Sequence, residues 1–313
     1  MSYDPWAQTQ PTHANRPAPP VNRGQYPVPR QSRPAKRRTG CGCGCGPFFG
    51  GMALALAFVL VVYLLAPFRT NLLILGIDYT PVENVVGRSD TIIMMTVLPL
   101  EPYVGALSVP RDLWVQIPGI GENRINTAHF FAEGQQAGAG PAASMATIEN
   151  NFGVRMDHFV RIRFDGVRSI VNAMGGVDIE LEKPMAGYPA GKHHLTGRKA
   201  LAFARNRSGS DDFFRMEQGS LLIRAILRQL MQPRMWPRLP LVLATALGQI
   251  DTDVPLWQWP RLGLAVLRAG PDGIDYRTVD RNMVTPFTTS QGASVLLPDW
   301  SRINPVLAEM FGE

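Results

Sequence analysis

Twenty-two consecutive residues, Pro47 to Phe68, carry no charged side chain, and this run constrains the chain more than any other feature. At about 1.5 Å per helical residue it reaches across a bilayer core of about 30 Å. Lys36-Arg37-Arg38 lies just before it, and basic residues at one flank hold that flank in the cytoplasm. The sequence therefore predicts a single-pass membrane helix over 47–68, a disordered basic cytoplasmic tail over 1–46, and an extracytoplasmic domain after Arg69. A cleaved signal peptide fits less well, because more than 40 residues would precede its apolar core and no clear small-x-small site follows.

The formal charge of +6 belongs to that tail: residues 1–46 hold seven basic side chains against Asp4, whereas residues 69–313 hold 24 basic and 24 acidic ones. An external domain of zero net charge argues against nucleic acid as a partner. All three cysteines sit in Cys41-Gly-Cys43-Gly-Cys45. Three ligands fall short of a closed zinc site, which leaves acylation beside the membrane or a Gly-rich hinge as the stronger readings.

Three runs after the anchor, 72–77, 92–98 and 104–109, read as strands. They are continuously apolar rather than alternating, as strands covered on both faces are. Helices are predicted over 141–152, over 165–174 with Gly175-Gly176 as its stop, from a Thr196 cap through Ala204, and over 219–231. Val177–Leu181 reads as a short strand, and 233–313 as helical layers packed on the same domain. The fold class is α/β: a three-layer α-β-α domain about a central sheet rich in antiparallel pairs, with its core over 69–232.

Pro99-Leu-Glu-Pro102 is too short for a crossover, so the second and third strands form an antiparallel hairpin. That brings Arg88 and Asp90, before one strand, beside Arg111 and Asp112, after the other. Asp78 joins them if the first strand is antiparallel to the second. Two carboxylates and an arginine at one edge suit Mg²⁺ and phosphate; singly, each also fits a solvated strand end. Arg205, Arg207 and Arg215 fall within eleven residues, a density suited to a multiply charged anion or to a charged surface loop. There is no G-x-S-x-G, P-loop or dinucleotide fingerprint, and no histidine pair at metal-binding spacing.

In order, Leu73-Ile-Leu-Gly-Ile-Asp78, Arg88-Ser-Asp-Thr-Ile92, Leu107-Ser-Val-Pro-Arg-Asp112, Arg124-Ile-Asn126, Met174-Gly-Gly-Val-Asp178 and Leu195-Thr-Gly-Arg-Lys-Ala-Leu-Ala-Phe-Ala-Arg-Asn-Arg207 resemble the LytR-CpsA-Psr family of cell-wall polymer ligases, from about Asn71 to Met231. The resemblance implies a phosphotransferase that moves a glycan phosphate from polyprenyl pyrophosphate to peptidoglycan and releases polyprenyl phosphate. It implies Asp78 and Asp90 as Mg²⁺ ligands, and Arg88, Arg111, Arg205, Arg207 and Arg215 as holders of the pyrophosphate. Arg124 and Asn126 join the substrate-binding set, and Asp112 and Asp90 are the candidate bases. Leu221–Met231 is a candidate lining for the lipid. One departure is that the family often continues Arg-x-x-Arg-Gln, whereas here Gln218 and Gly219 stand at the last two positions, so any phosphate contact from Gln218 carries less charge. A tethered binding module and a pyrophosphatase would use the same arginines.

Overall fold

The structure is a computed structural model describing residues 45–64, 68–78, 87–206, 212–270 and 272–312. The expectations for the tail to residue 44, and for Cys41 and Cys43, fall outside them. Compact packing covers Gly51–Glu313. In chain order the elements are α1 (Cys45–Leu64), β1 (Thr70–Asp78), β2 (Arg88–Leu98), β3 (Tyr103–Val109), β4 (Trp114–Ile117), β5 (Gly121–Arg124), α2 (Thr127–Gln135), α3 (Gly140–Phe152), β6 (His158–Arg163) and α4 (Phe164–Met174). There follow β7 (Val177–Leu181), β8 (Gly191–Leu195), α5 (Gly197–Arg205), α6 (Asp212–Leu230), α7 (Leu239–Leu247), β9 (Ile250–Thr252), α8 (Trp259–Ala269), β10 (Ile274–Thr278), β11 (Val284–Thr288), β12 (Ser294–Pro298) and α9 (Trp300–Phe311).

Six strands form the central sheet in the order β10-β3-β2-β1-β6-β9. β1 is antiparallel to β2, β2 to β3 and β6 to β9, while β1–β6 and β3–β10 are parallel. The sheet is thus mixed, and the predicted hairpin is present with Leu98 opposite Tyr103. The predicted runs in β1, β2 and β3 are continuously apolar because both faces are covered. On one face Leu73, Leu75, Ile77, Met94 and Leu107 pack with Ile148 and Phe152 of α3 and with Ile303, Leu307 and Phe311 of α9. On the other, Val97 and Val104 meet Ala265 of α8 and Leu227 of α6. A buried Leu-sized side chain contributes about 1.5–3 kcal/mol each, so these runs hold the scaffold.

Two expectations change. Residues 233–313 are not purely helical: they supply both edge strands of the sheet, β9 and β10, and the β11–β12 hairpin. The short strand expected over Val177–Leu181 is present as β7, paired with β8 outside the central sheet. Thr196 stands at the start of α5 but its side chain makes no capping hydrogen bond. In α1 the side chains of Leu54, Leu56 and Phe58 are exposed. Among the described residues no helix is long and apolar enough to cross a membrane, so the structure does not establish the expected anchor.

Candidate active site

The β1–β2 pairing builds the site. Gly76 lies opposite Thr91, but Ile77 lies opposite Ser89, so the register slips and Asp90 is the extra residue of a bulge. A bulge re-aims the side chain it carries. Only glycine fits opposite it, because a Cβ at Gly76 would stand 2.8 Å from the Thr91 Cβ. The backbone of Asp78, at the end of β1, pairs with Arg88, which brings Asp78 to within two residues of Asp90 across the ladder.

From Asp90 an ion-pair chain runs along the edge. Arg111, two residues past β3, places Nη1 2.8 Å from Asp90 Oδ1. Its Nε stands 3.6 Å from Asp112 Oδ2, and the other Asp112 oxygen faces Arg124 Nε at 3.3 Å. Backbone bonds hold these positions: Asn126 N–H donates to the Arg111 carbonyl, and Ile125 N–H to that of Leu113. Asn126 is buried, its carbonyl accepts from the Ser89 hydroxyl, and its Oδ1 makes no hydrogen bond among the described residues. Asn126 itself does not line the cleft beside Asp90.

Asp90 and Arg111 open onto a small cleft whose walls include Thr91, Val109, Phe164, Ala204, Met216 and Tyr276. Arg205 closes α5 beside it, its guanidinium 5.1 Å from the Phe164 ring. Arg88 stacks instead on Phe130 at 5.3 Å. Gln218 is buried and does not line the cleft. The α6 contribution comes from Met216, Gly219 and Ser220, and not from 221–231, where Leu221, Leu222 and Ala225 pack into the core against α5 and β7. Arg207 and the side chains of Asp78 and Arg215 lie outside the described residues.

Among the described residues no group of three or more His, Cys, Asp or Glu could cage a metal. Two carboxylates completed by substrate phosphate are nonetheless an ordinary donor set for Mg²⁺, and the closeness of Asp78 to Asp90 along the ladder is compatible with it.

The LytR_cpsA_psr family profile matches residues 67–311. The chain belongs to the LytR_cpsA_psr family. It is 32% identical over 194 residues to the polyisoprenyl-teichoic acid–peptidoglycan teichoic acid transferase TagU of Halalkalibacterium halodurans, a match covering 59% of this chain and 61% of that protein. It is 28% identical to the TagU of Enterococcus faecalis, covering 69% and 76%. The match to the first relative thus spans under two thirds of that protein's length. B. subtilis TagV has the same fold, with a TM-score of 0.64 at 21% identity over 79% of this chain and 98% of that one. A structure of TagT bound to LIIa-WTA superposes at a TM-score of 0.61, with 19% identity over 78% and 90%.

The sequence missed a second charged group at this end of the sheet. His129 of α2, buried, is bonded through Nδ1 to the carbonyl of Gly87, the residue before Arg88. Its Nε2 lies 3.3 Å from Arg161 of β6, which also pairs with Glu133 at 3.0 Å and with Asp251. Glu133 accepts from the N–H groups of Gly138 and Gly140. Burial, reinforced by Arg161, pushes the imidazole below its ordinary 6.5. Burial would raise the Glu133 carboxyl, but the two glycine N–H groups and Arg161 outweigh it and hold it below the usual range.

Proposed function

We propose that this protein attaches a cell-wall glycopolymer to peptidoglycan, transferring a glycan phosphate from a polyprenyl pyrophosphate and releasing polyprenyl phosphate. The observation that carries the reading is the bulged Asp90 bonded to Arg111 at the mouth of a partly apolar cleft, in a chain whose relatives include TagU transferases. Phosphoryl transfer gains most of its acceleration from charges fixed where negative charge builds. Arg111 and Arg205, with Arg88, Arg207 and Arg215 as further candidates, hold the diphosphate. Arg124 orients Asp112, and Asn126, a further substrate-binding candidate, holds the Arg111 carbonyl through its backbone N–H. Asp90 or Asp112 takes the proton of the attacking peptidoglycan hydroxyl. Asp78 and Asp90 would hold Mg²⁺, which would supply neutralisation of phosphoryl charge. Phe164, Met216 and Tyr276 give the first prenyl units a dry wall. α1, with its exposed leucines and phenylalanines, is the membrane anchor, and the domain lies outside the cytoplasm.

The test is acceptor dependence. Full-length protein is incubated with a synthetic lipid-linked glycan pyrophosphate, with and without peptidoglycan, and polyprenyl phosphate is measured. Release should require the acceptor. Equal release without it identifies a pyrophosphatase, and tight lipid binding with no release in either arm identifies a binding module.

A further inference from the structure

Five large apolar side chains share the end of the sheet opposite Asp90. β1 begins there, with Thr70 opposite Val97, so the turn joining β2 to β3 lies at that end and exposes Leu100. Arg268, near the end of α8, donates to the carbonyls of Pro99 and Leu100, which brings its neighbour Leu267, 61% exposed, to the same turn. β6 starts at this end as well, with His158 opposite Leu72. The Gln258 side chain meets His158 Nε2 at 3.2 Å, and so places the adjoining Leu256 and Trp257, 74% and 59% exposed. Phe68 leads into β1, 68% exposed, with the Arg261 guanidinium 5.8 Å from its ring.

α1 reaches this rim. The Tyr63 ring lies 5.9 Å from that of Trp257, and the Tyr63 hydroxyl donates to the Trp257 carbonyl. A tyrosine and a tryptophan where an apolar helix meets a domain are the side chains that favour the headgroup level of a bilayer, with an apolar body and a polar edge. Grouped exposed apolar residues mark an interaction surface, and continuity with α1 names the occupant. Around the rim the exposed Arg155 and Arg268 stand near Glu101 and Asp157, so neither sign dominates and attraction to anionic lipid is not the driving force.

We propose that Phe68, Leu100, Leu256, Trp257 and Leu267 dip into the outer headgroup layer of the bilayer that holds α1, standing the domain upright on the membrane. The Asp90 edge then lies the length of β1 from the lipid surface, about 27 Å at about 3.4 Å per residue. A lipid-linked donor reaches it by drawing its prenyl chain out of the bilayer into the protein. This rests on reading α1 as the anchor.

The experiment places the full chain in vesicles of phosphatidylcholine and phosphatidylglycerol with brominated acyl chains and reads tryptophan quenching. Trp257→Phe should remove most of the quenchable intensity, whereas Trp114→Phe, at the Asp90 end, should leave it unchanged. Leu256→Asp with Leu267→Asp, both at exposed positions, should relieve quenching while the protein still floats with the vesicles. Quenching should be the same in pure phosphatidylcholine. Flotation with an unquenched Trp257, as when a second copy or another protein covers the rim, overturns the docking surface and leaves the anchor standing. Failure to float overturns both.

Discussion

Two charged networks flank the same end of the sheet, and they are built on different principles. The β1–β6 side holds His129, Glu133, Arg161 and Asp251, tied to backbone at Gly87, Gly138 and Gly140. The β2–β3 side holds Asp90, Arg111, Asp112 and Arg124, joined by ion pairs from side chain to side chain, with Asp90 and Arg111 at the wall of a cleft. The first network fastens loops to the sheet and fixes the residue ahead of Arg88. The second places Asp90 and Arg111 at the wall of a cleft with an apolar side. The first also borders a cleft, a polar one, so charge at a strand end is no index of chemistry; what distinguishes the two is the apolar wall of Phe164, Met216 and Tyr276 beside Asp90.

The largest effect should come from the cleft side. Arg111→Ala should lower transfer by roughly 10²–10³, about 2.7–4 kcal/mol of transition-state stabilisation. Its unfolding free energy should fall as well, by about 1–3 kcal/mol, because Asp90, 9% exposed, loses this partner; steady-state transfer per folded molecule and denaturant melts on one preparation measure both. Arg161→Ala should lose stability without the loss of transfer. Glu133 and Asp251 lose their shared cation, which costs about 2–4 kcal/mol of stability, while transfer per folded molecule stays within about tenfold of the parent. If the two variants trade outcomes, the assignment of the networks is reversed.

The smallest effect is a pH slope. His129 has a folded-state pKa below 6.5, so the unfolded chain takes up its proton first on acidification. The stability it contributes is complete above about pH 6.5 and is lost as pH falls below that value toward the lowered folded one. Glu133, also lowered, adds a further loss only below the ordinary carboxylate range. Melting temperatures between about pH 7.5 and pH 5.5 should fall in the parent and flatten in His129→Gln; an unchanged slope in the variant would assign it to other groups.

What the sequence disclosed follows from how each element is held. β1, β2 and β3 are legible because both faces are buried and a four-residue link forces a hairpin. β6, equally central, reads His158-Phe-Val-Arg-Ile-Arg163 and is half-buried up to its exposed last residue, so its apolar signal is diluted by charged side chains, among them Arg161 of the first network. β10, Ile274-Asp-Tyr-Arg-Thr278, is hidden in the same way: Asp275 and Arg277 pair with each other, and Arg277 also with Glu309 of α9. At the site, the convergence of Asp90 with Arg111 was legible from the hairpin. The bulge that singles out Asp90 was not, because register arises from pairing between strands and has no local signature. His129 read as an unremarkable histidine because its partner Arg161 lies 32 residues away in sequence, and only the fold brings them together.

Asp90 bears the central claim. The decisive measurement is transfer from lipid-linked glycan pyrophosphate to peptidoglycan by full-length Asp90→Ala, with lipid binding followed in the same samples and the parent assayed in excess EDTA. The account predicts transfer lost by at least about 10²-fold in the variant and in the chelated parent, with lipid binding retained. Full transfer by Asp90→Ala, or by the parent without divalent cations, would contradict it.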